Sequence, residues 1–298
     1  MIIIHVMGGL GNQLYQYAMY EKLKMLGKEV KLDLYDYKEA VGEDREWRDL
    51  ELDYFEGLVY DVCSLSERTL FLDNSRKFFD RVRRKLFGRK DRIVRETKSY
   101  MPELFDMDNV YLHGFWNSEK YYEDMIPELW KKIVFPPSSN EKNISCINEM
   151  ENINSVAIHI RRSDYLKVAD GKRYMGICTD EYYKAAMAYI EKHVENPVYY
   201  IFSDDEEYAR EHFCNDNMKI VYWNKGKDSF YDMQLMSCCK HNICANSTFS
   251  LWGARLNTHQ DKIMIRPLRH DNYDESSPDK IREEWNKWVL IDKDGRLI

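Results

Sequence analysis

Long apolar runs are missing from this sequence. Nowhere do about eighteen apolar residues stand together, which excludes a hydrophobic helix that spans a membrane. A surplus of positive charge is missing as well. The net charge is −7, the wrong sign for a protein whose main partner is a phosphate backbone, so nucleic acid is excluded in that role. Cysteine lacks pattern: there are seven, with no CxxC and no regular spacing, which argues against a disulfide framework and for a reducing, cytoplasmic setting. Cys238, Cys239, His241 and Cys244 lie close together but fit no zinc spacing. They straddle a helix end and a buried strand, so packing is expected there and not a metal. The chain enters an apolar strand at once, with no basic n-region or cleavage site, and no secretory leader is expected. Internal repeats and low-complexity tracts are absent too.

What is present is a globular composition of 298 residues, 44% hydrophobic and 32% charged, enough for one large or two medium domains. Aromatics are plentiful, with 22 Tyr and 7 Trp. Such side chains line sugar-binding clefts, and they also simply pack. Charge is uneven. Residues 76–98 hold eleven Lys/Arg against three acids, a local +8 that leaves −15 on the rest. Within that stretch Phe78, Phe79, Val82 and Leu86 form an apolar stripe at helical spacing. Two readings stay open: a helix lying on an anionic membrane, or a helix packed on its own domain with a solvated basic face.

Two motifs follow apolar runs that read as buried strands. Gly8-Gly9-Leu10-Gly11-Asn12-Gln13 comes after Ile2–Val6, and His159-Ile160-Arg161-Arg162-Ser163-Asp164-Tyr165 comes after Val156–Ile158. A glycine turn lets backbone N–H groups approach an anion. Adjacent arginines supply forks of donors for a diphosphate, and preorganised guanidinium groups stabilise a departing pyrophosphate without a metal. The glycine spacing is not the GxGxxG of dinucleotide binders. Ser203-Asp204-Asp205 ends another strand and offers acceptors for a base or ribose edge, or an N-cap for the next helix. Asn246-Ser247-Thr248-Phe249-Ser250 opens a helix and offers hydroxyls and N–H groups to a phosphate, or a capping box without a ligand.

The organisation reads as two α/β series. Residues 1–40 run strand, glycine turn, helix, strand, which implies a parallel sheet. Phe135-Pro136-Pro137-Ser138-Ser139-Asn140 is the best linker. After it, strands near 155–160, 198–202, 220–223, 242–245 and 262–265 alternate with helices. Three domains of the chain are therefore expected: residues 1–138, residues 139–270, and a segment 271–298 packing back on the first domain.

Taken together, the two long motifs, Phe202-Ser203-Asp204-Asp205, and Met236-Ser237-Cys238 leading through His241-Asn242-Ile243 into the 246–250 motif resemble the α-1,2-fucosyltransferases of glycosyltransferase family 11. Thr248 and Leu251 stand where that family commonly has Ser and Trp. The resemblance implies an α/β fold of GT-B type, two facing Rossmann-like domains with the active site in the cleft between them. It implies an inverting, metal-independent transfer of L-fucose from GDP-β-L-fucose to the 2-hydroxyl of a terminal galactose on a glycan, with no cofactor. It places Arg161 on the β-phosphate, with Arg162 beside it. His159, Asp204 and Asp205 fall near guanine and ribose, and Asn246, Ser247, Thr248 and Ser250 near the diphosphate. Gly9, Gly11, Asn12 and Gln13 would face the reaction centre from the other domain. Asp164 is the nearest carboxylate for a general base, and Asp170 a weaker one. Family members of this bacterial type build surface polysaccharides, so a lipid-linked acceptor and a peripheral membrane contact through residues 76–98 are expected. Two other classes compete: a non-catalytic carbohydrate-binding protein, and another nucleotide-dependent Rossmann enzyme.

Overall fold

In a computed structural model, which describes residues 1–38, 49–97, 100–162 and 171–298, the chain forms two compact units, Met1–Val134 and Phe135–Ile298. The first contains β1 (Ile2–His5), α1 (Leu10–Met25), β2 (Val30–Asp33), α2 (Tyr35–Lys38), α3 (Leu65–Leu72), α4 (Phe78–Phe87), β3 (Ile93–Arg95), β4 (Tyr111–His113) and α5 (Ile126–Lys132). Its four strands pair in the order β2-β1-β4-β3, all parallel. β1 is apolar on both faces because parallel strands are covered on both sides, and Ile2, Ile3 and Ile4 are wholly buried. Gly27, at φ 77°, supplies the left-handed turn after α1.

The second unit contains α6 (Glu141–Asn152), β5 (Ser155–Ile160), α7 (Gly171–Tyr174), α8 (Asp180–His193), β6 (Val198–Ser203), α9 (Glu206–His212), β7 (Met218–Val221), α10 (Phe230–Cys238), β8 (His241–Ile243), α11 (Thr248–Leu256), β9 (Met264–Pro267), α12 (Pro278–Glu284) and β10 (Val289–Ile291). The strands order as β10-β9-β8-β5-β6-β7, again all parallel. Alternate residues of the central strands feed two cores. Val156, Ile158, Tyr199 and Ile201 pack with Tyr182, Ala186 and Ile190 of α8, while Ala157, Tyr200 and Phe202 pack with Leu235 and Met236 of α10. Each unit is a Rossmann-like α/β layer structure around a parallel sheet.

The C-terminal segment belongs to the second unit. β10 extends the second sheet beside β9, and Ile281, Trp285 and Trp288 pack with Leu251 and Ala254 of α11. The physical reason is a buried cation. Arg266 on β9 is 3% exposed, and its guanidinium lies 3.7 Å from the Trp285 ring centroid, so this segment roofs a charge of its own sheet.

Candidate active site

In an open parallel sheet, ligands bind beyond the carboxyl ends of the strands, where the winding reverses direction. In the second unit the chain winds from β5 outward through β6 and β7. It then crosses to β8 on the other flank of β5. The reversal point therefore lies between β5 and β8, and the segments leaving it are 161–162 and 244–248.

Register decides which side chains meet there. Ile160 pairs with Ser203, so Arg161 leaves the sheet level with Asp204, and Arg162 level with Asp205. Arg161 Nε lies 3.4 Å from Asp204 Oδ2, and the Arg162 backbone N–H donates to Asp204 Oδ1 at 2.8 Å. Arg162 Nε reaches Asp205 Oδ2 at 3.4 Å, and its guanidinium sits 3.7 Å from the Tyr208 ring centroid. Asp205 also caps α9, accepting the Tyr208 N–H at 3.0 Å. The two acids thus fix the two arginines. Arg161 keeps 26% and Arg162 38% of its side-chain surface open.

On the other flank, Ile158 pairs with Ile243, which puts Arg161 level with Asn246 on strands spaced about 4.8 Å apart. Asn246 is not open to a ligand. Its amide donates to the carbonyls of Tyr174 and His270 at 3.1 and 3.0 Å, and its oxygen accepts the Cys178 thiol at 3.4 Å. Ser250 is likewise buried, with its hydroxyl spent on the Ser247 carbonyl at 3.2 Å. Both were expected to touch the diphosphate, and both instead hold the backbone that opens α11. Ser247 is the N-cap of α11 and makes no side-chain cap bond, and Thr248 is partly exposed. The first helical bond runs from the Leu251 N–H to the Ser247 carbonyl, so the N–H groups of 248–250 have no partner within the helix. A helix start beside two fixed arginines attracts an anion from both sides.

His159 is a neutral, buried side chain and not an exposed base-edge contact. Burial, and then the Arg161 charge, push its imidazole down to about 3. Its Nδ1 has no hydrogen-bond partner among the described residues, and its ring lies 5.9 Å from that of Phe249 on α11. Asp164 and Asp170, the expected general-base candidates, fall outside the described residues.

The glycine motif of the first unit works differently from expectation. Gly8 takes φ +83°, and a Cβ there would meet the Asn12 amide at 2.5 Å, so the turn requires glycine. Gly9 caps α1, its carbonyl accepting the N–H groups of Asn12 and Gln13 at 2.9 and 3.1 Å, and Gly11 is buried. Gln13 is wholly buried. It donates to the carbonyls of Gly8 and Asp49 at 2.9 and 3.0 Å and accepts the N–H groups of Glu51 and Leu52 at 2.8 and 3.2 Å. The Leu10 N–H donates to Glu51 Oε2 at 2.7 Å. The anion at this helix start is the chain's own carboxylate.

One cluster escaped sequence reasoning. The first sheet reverses its winding between β1 and β4, whose last residues are His5 and His113. His5 Nε2 lies 2.9 Å from Asp36 Oδ2, and the Nδ1 atoms of His5 and His113 are 2.9 Å apart. A carboxylate only accepts, so Nε2 of His5 carries the proton there. With both rings neutral, bare His5 Nδ1 then accepts from His113 Nδ1–H, which leaves a lone pair on His113 Nε2. Burial, helped by His5 and Arg95, lowers the His113 pKa and favours that neutral form. The available signal was two histidines, each ending an apolar run, in Ile-Ile-Ile-His and Val-Tyr-Leu-His.

Fold and site together define a doubly wound α/β protein whose second unit has two arginines and a helix start without a side-chain cap at its reversal point. Comparison with known sequences then gives the family. The chain belongs to glycosyl transferase family 11, whose profile matches residues 89–288. It is 32% identical over 281 residues to the O-antigen biosynthesis glycosyltransferase WbnK of Escherichia coli, covering 88% of this chain and 92% of that one. It is 28% identical over 312 aligned residues to an alpha-1,2-colitosyltransferase of Escherichia coli, covering 98% and 99%. A shorter match, 30% over 104 residues, joins it to the galactoside alpha-(1,2)-fucosyltransferase 1 of Homo sapiens, covering 34% of this chain and 28% of that one. The protein is therefore a glycosyltransferase. Among the described residues no group of three or more His, Cys, Asp or Glu converges in a way that could hold a metal ion.

Proposed function

We propose that the protein transfers L-fucose from GDP-β-L-fucose to the 2-hydroxyl of a terminal galactose, with inversion to an α-1,2 linkage, in the synthesis of a surface polysaccharide or oligosaccharide. The observation that carries this reading is the arginine pair aligned by Asp204 and Asp205 beside the open start of α11. As the bond from fucose C1 to the β-phosphate oxygen lengthens, negative charge builds on the departing GDP. Arg161 and the helix start meet that charge, which is the work a divalent cation performs in other transferases. The acceptor oxygen bonds C1 from the opposite face and sheds its proton to a base. Asp164 is the base suggested by its motif.

Relatives named for α-1,2 fucosyl and colitosyl transfer support the linkage, and a relative named for O-antigen biosynthesis supports a glycan acceptor. The setting that fits is the cytoplasm, at the inner face of the membrane. The test is a screen of donors, GDP-fucose and GDP-colitose, against galactose-terminated acceptors in excess chelator, with linkage analysis of the product. GDP-fucose should give an α-1,2-fucosylated product. Loss of transfer that Mn²⁺ restores would refute the arginine account. Glycan binding that is blind to GDP would favour a non-catalytic lectin.

A further inference from the structure

α4 is inside out. In an ordinary surface helix the apolar stripe faces the core and the charges face water. Here no residue of the helix is buried, and Phe78, Phe79 and Leu86 are 72%, 83% and 69% exposed. The polar side faces inward instead. Arg83 and Arg84 pair with Asp73, Arg84 also donates to the Ser75 carbonyl, and the Lys90 N–H donates to Asp73 Oδ2 at 2.8 Å. At 100° per residue, Phe78, Val82, Leu86 and Phe79 occupy one outward arc, while Asp80 and Arg84 lie opposite. Arg81 and Lys85 flank that arc, and Arg76, Lys77, Arg89 and Lys90, just outside the helix, are exposed as well. Beneath it, a cavity of about 730 Å³ is lined by Lys77, Arg83, Lys90 and Arg92 together with Asp73 and Asp80.

We propose that α4 is a foot that lies in the interface of an anionic phospholipid bilayer, with Phe78, Phe79, Val82 and Leu86 below the headgroups and the ring of cations on lipid phosphates. Three observations select a bilayer over a protein partner. The arc carries no side-chain donor or acceptor that would set a register, whereas protein interfaces make about one hydrogen bond per 100–200 Å². A ten-residue helix presents a face roughly 15 Å long, too small for the ~800 Å² per side of a stable interface. Finally, a chain of net charge −7 holds a local excess of +8 in residues 76–98, so an anionic surface attracts it here and repels it elsewhere. No described helix is long and apolar enough to cross a membrane, so such a contact is peripheral. The inference goes beyond the proposed reaction and stands whatever sugar is transferred.

The test is co-sedimentation of the full chain with vesicles of phosphatidylcholine alone and of phosphatidylcholine mixed with phosphatidylglycerol. Binding is expected to the mixed vesicles only and to weaken as salt rises. Arg81→Glu/Lys85→Glu should weaken it by at least about 25-fold, since each Lys or Arg near the surface is worth about fivefold. Phe79→Ser/Leu86→Ser should also weaken it at least about tenfold. Both variants alter outward side chains, so unchanged melting and unchanged transfer to a soluble acceptor should accompany the loss. Equal binding to neutral and anionic vesicles would overturn the proposal, as would variants that bind like wild type. Self-association in the absence of lipid that both variants abolish would assign the face to a second copy of the chain, and would also overturn it.

Discussion

Replacing Arg161 by Ala should cost far more rate than replacing its neighbour Arg162, and the geometry gives both numbers. Asp204 holds Arg161 at Nε, 3.4 Å away, which fixes the plane of the guanidinium at the strand end. Removing one preorganised donor to developing charge costs ~2.7–4 kcal/mol, so kcat should fall by about 10²–10³. Arg161→Lys should recover little of it, because an ammonium cannot reproduce a planar fork. Arg162 is committed elsewhere, to the Tyr208 ring and to Asp205, itself the cap of α9. A partly exposed cation–π contact contributes about 0.5–1 kcal/mol and a solvent-accessible ion pair ~0–1. Arg162→Ala should therefore lower Tm by about 2–4 °C and keep kcat within about tenfold of wild type. The assay is initial-rate kinetics with GDP-fucose varied at saturating acceptor, alongside thermal melts. If both variants fold and Arg162→Ala loses more kcat than Arg161→Ala, the assignment of leaving-group stabilisation to Arg161 is wrong.

Gln13→Leu should act through stability, since it takes the amide from the Asp49 carbonyl and from the Glu51 and Leu52 N–H groups at roughly 1 kcal/mol each, while the Gly8 carbonyl keeps the Tyr37 hydroxyl. A Tm drop of roughly 6–12 °C is expected, and a rise in donor KM without any Tm change would restore Gln13 to the ligand site. His159 titrates near 6.5 when unfolded and about 3 when folded, so its contribution to stability is complete above pH 6.5 and declines as pH falls toward 3. Between pH 7 and 5 the wild type should lose about 2 kcal/mol more than His159→Gln in urea titrations. The comparison is between variants because burial raises the Asp232 carboxyl to about 7, which works in the opposite direction, and equal slopes would refute the His159 assignment.

Local patterning was legible over most of the second unit. Helices at 180–193 and 206–212 lie where periodicity and caps put them, because Thr179 and Asp205 are true N-caps with side-chain bonds to the third helical N–H. β10 was not legible. Val289–Ile291 is three residues long, and its place beside β9 depends on Trp285 covering Arg266, a contact between residues nineteen apart that no local pattern announces. The site was half legible for a related reason. Strand ends can be read from apolar runs, so the arginines and acids could be placed, but which polar side chains turn inward is decided by unpaired backbone groups nearby. Asn246 and Gln13 look like ligand contacts in a motif. Each instead satisfies buried main-chain atoms from segments distant in sequence. Glu51 went unnoticed because its partner, the Leu10 N–H, lies 41 residues away.

The contrast between the two reversal points bears on why two similar sheets occur in one chain. Both units end a central parallel strand in a turn or short loop, and both start a helix near it. In the first, the helix start is closed by Glu51 and braced by Gln13, and Tyr37 donates to the Gly8 carbonyl at 2.6 Å. An incoming phosphate would have to displace an internal carboxylate and then meet its charge. In the second, Ser247 leaves the start of α11 without a side-chain cap, and the adjacent strand delivers two guanidinium groups whose counter-charges are displaced to their far side, on Asp204 and Asp205. The same backbone geometry is thus made repulsive to an anion in one unit and attractive in the other. That difference follows from a few side chains, since Glu51 and Gln13 close the start of α1 whereas Asp204 and Asp205 hold Arg161 and Arg162 at the end of β5.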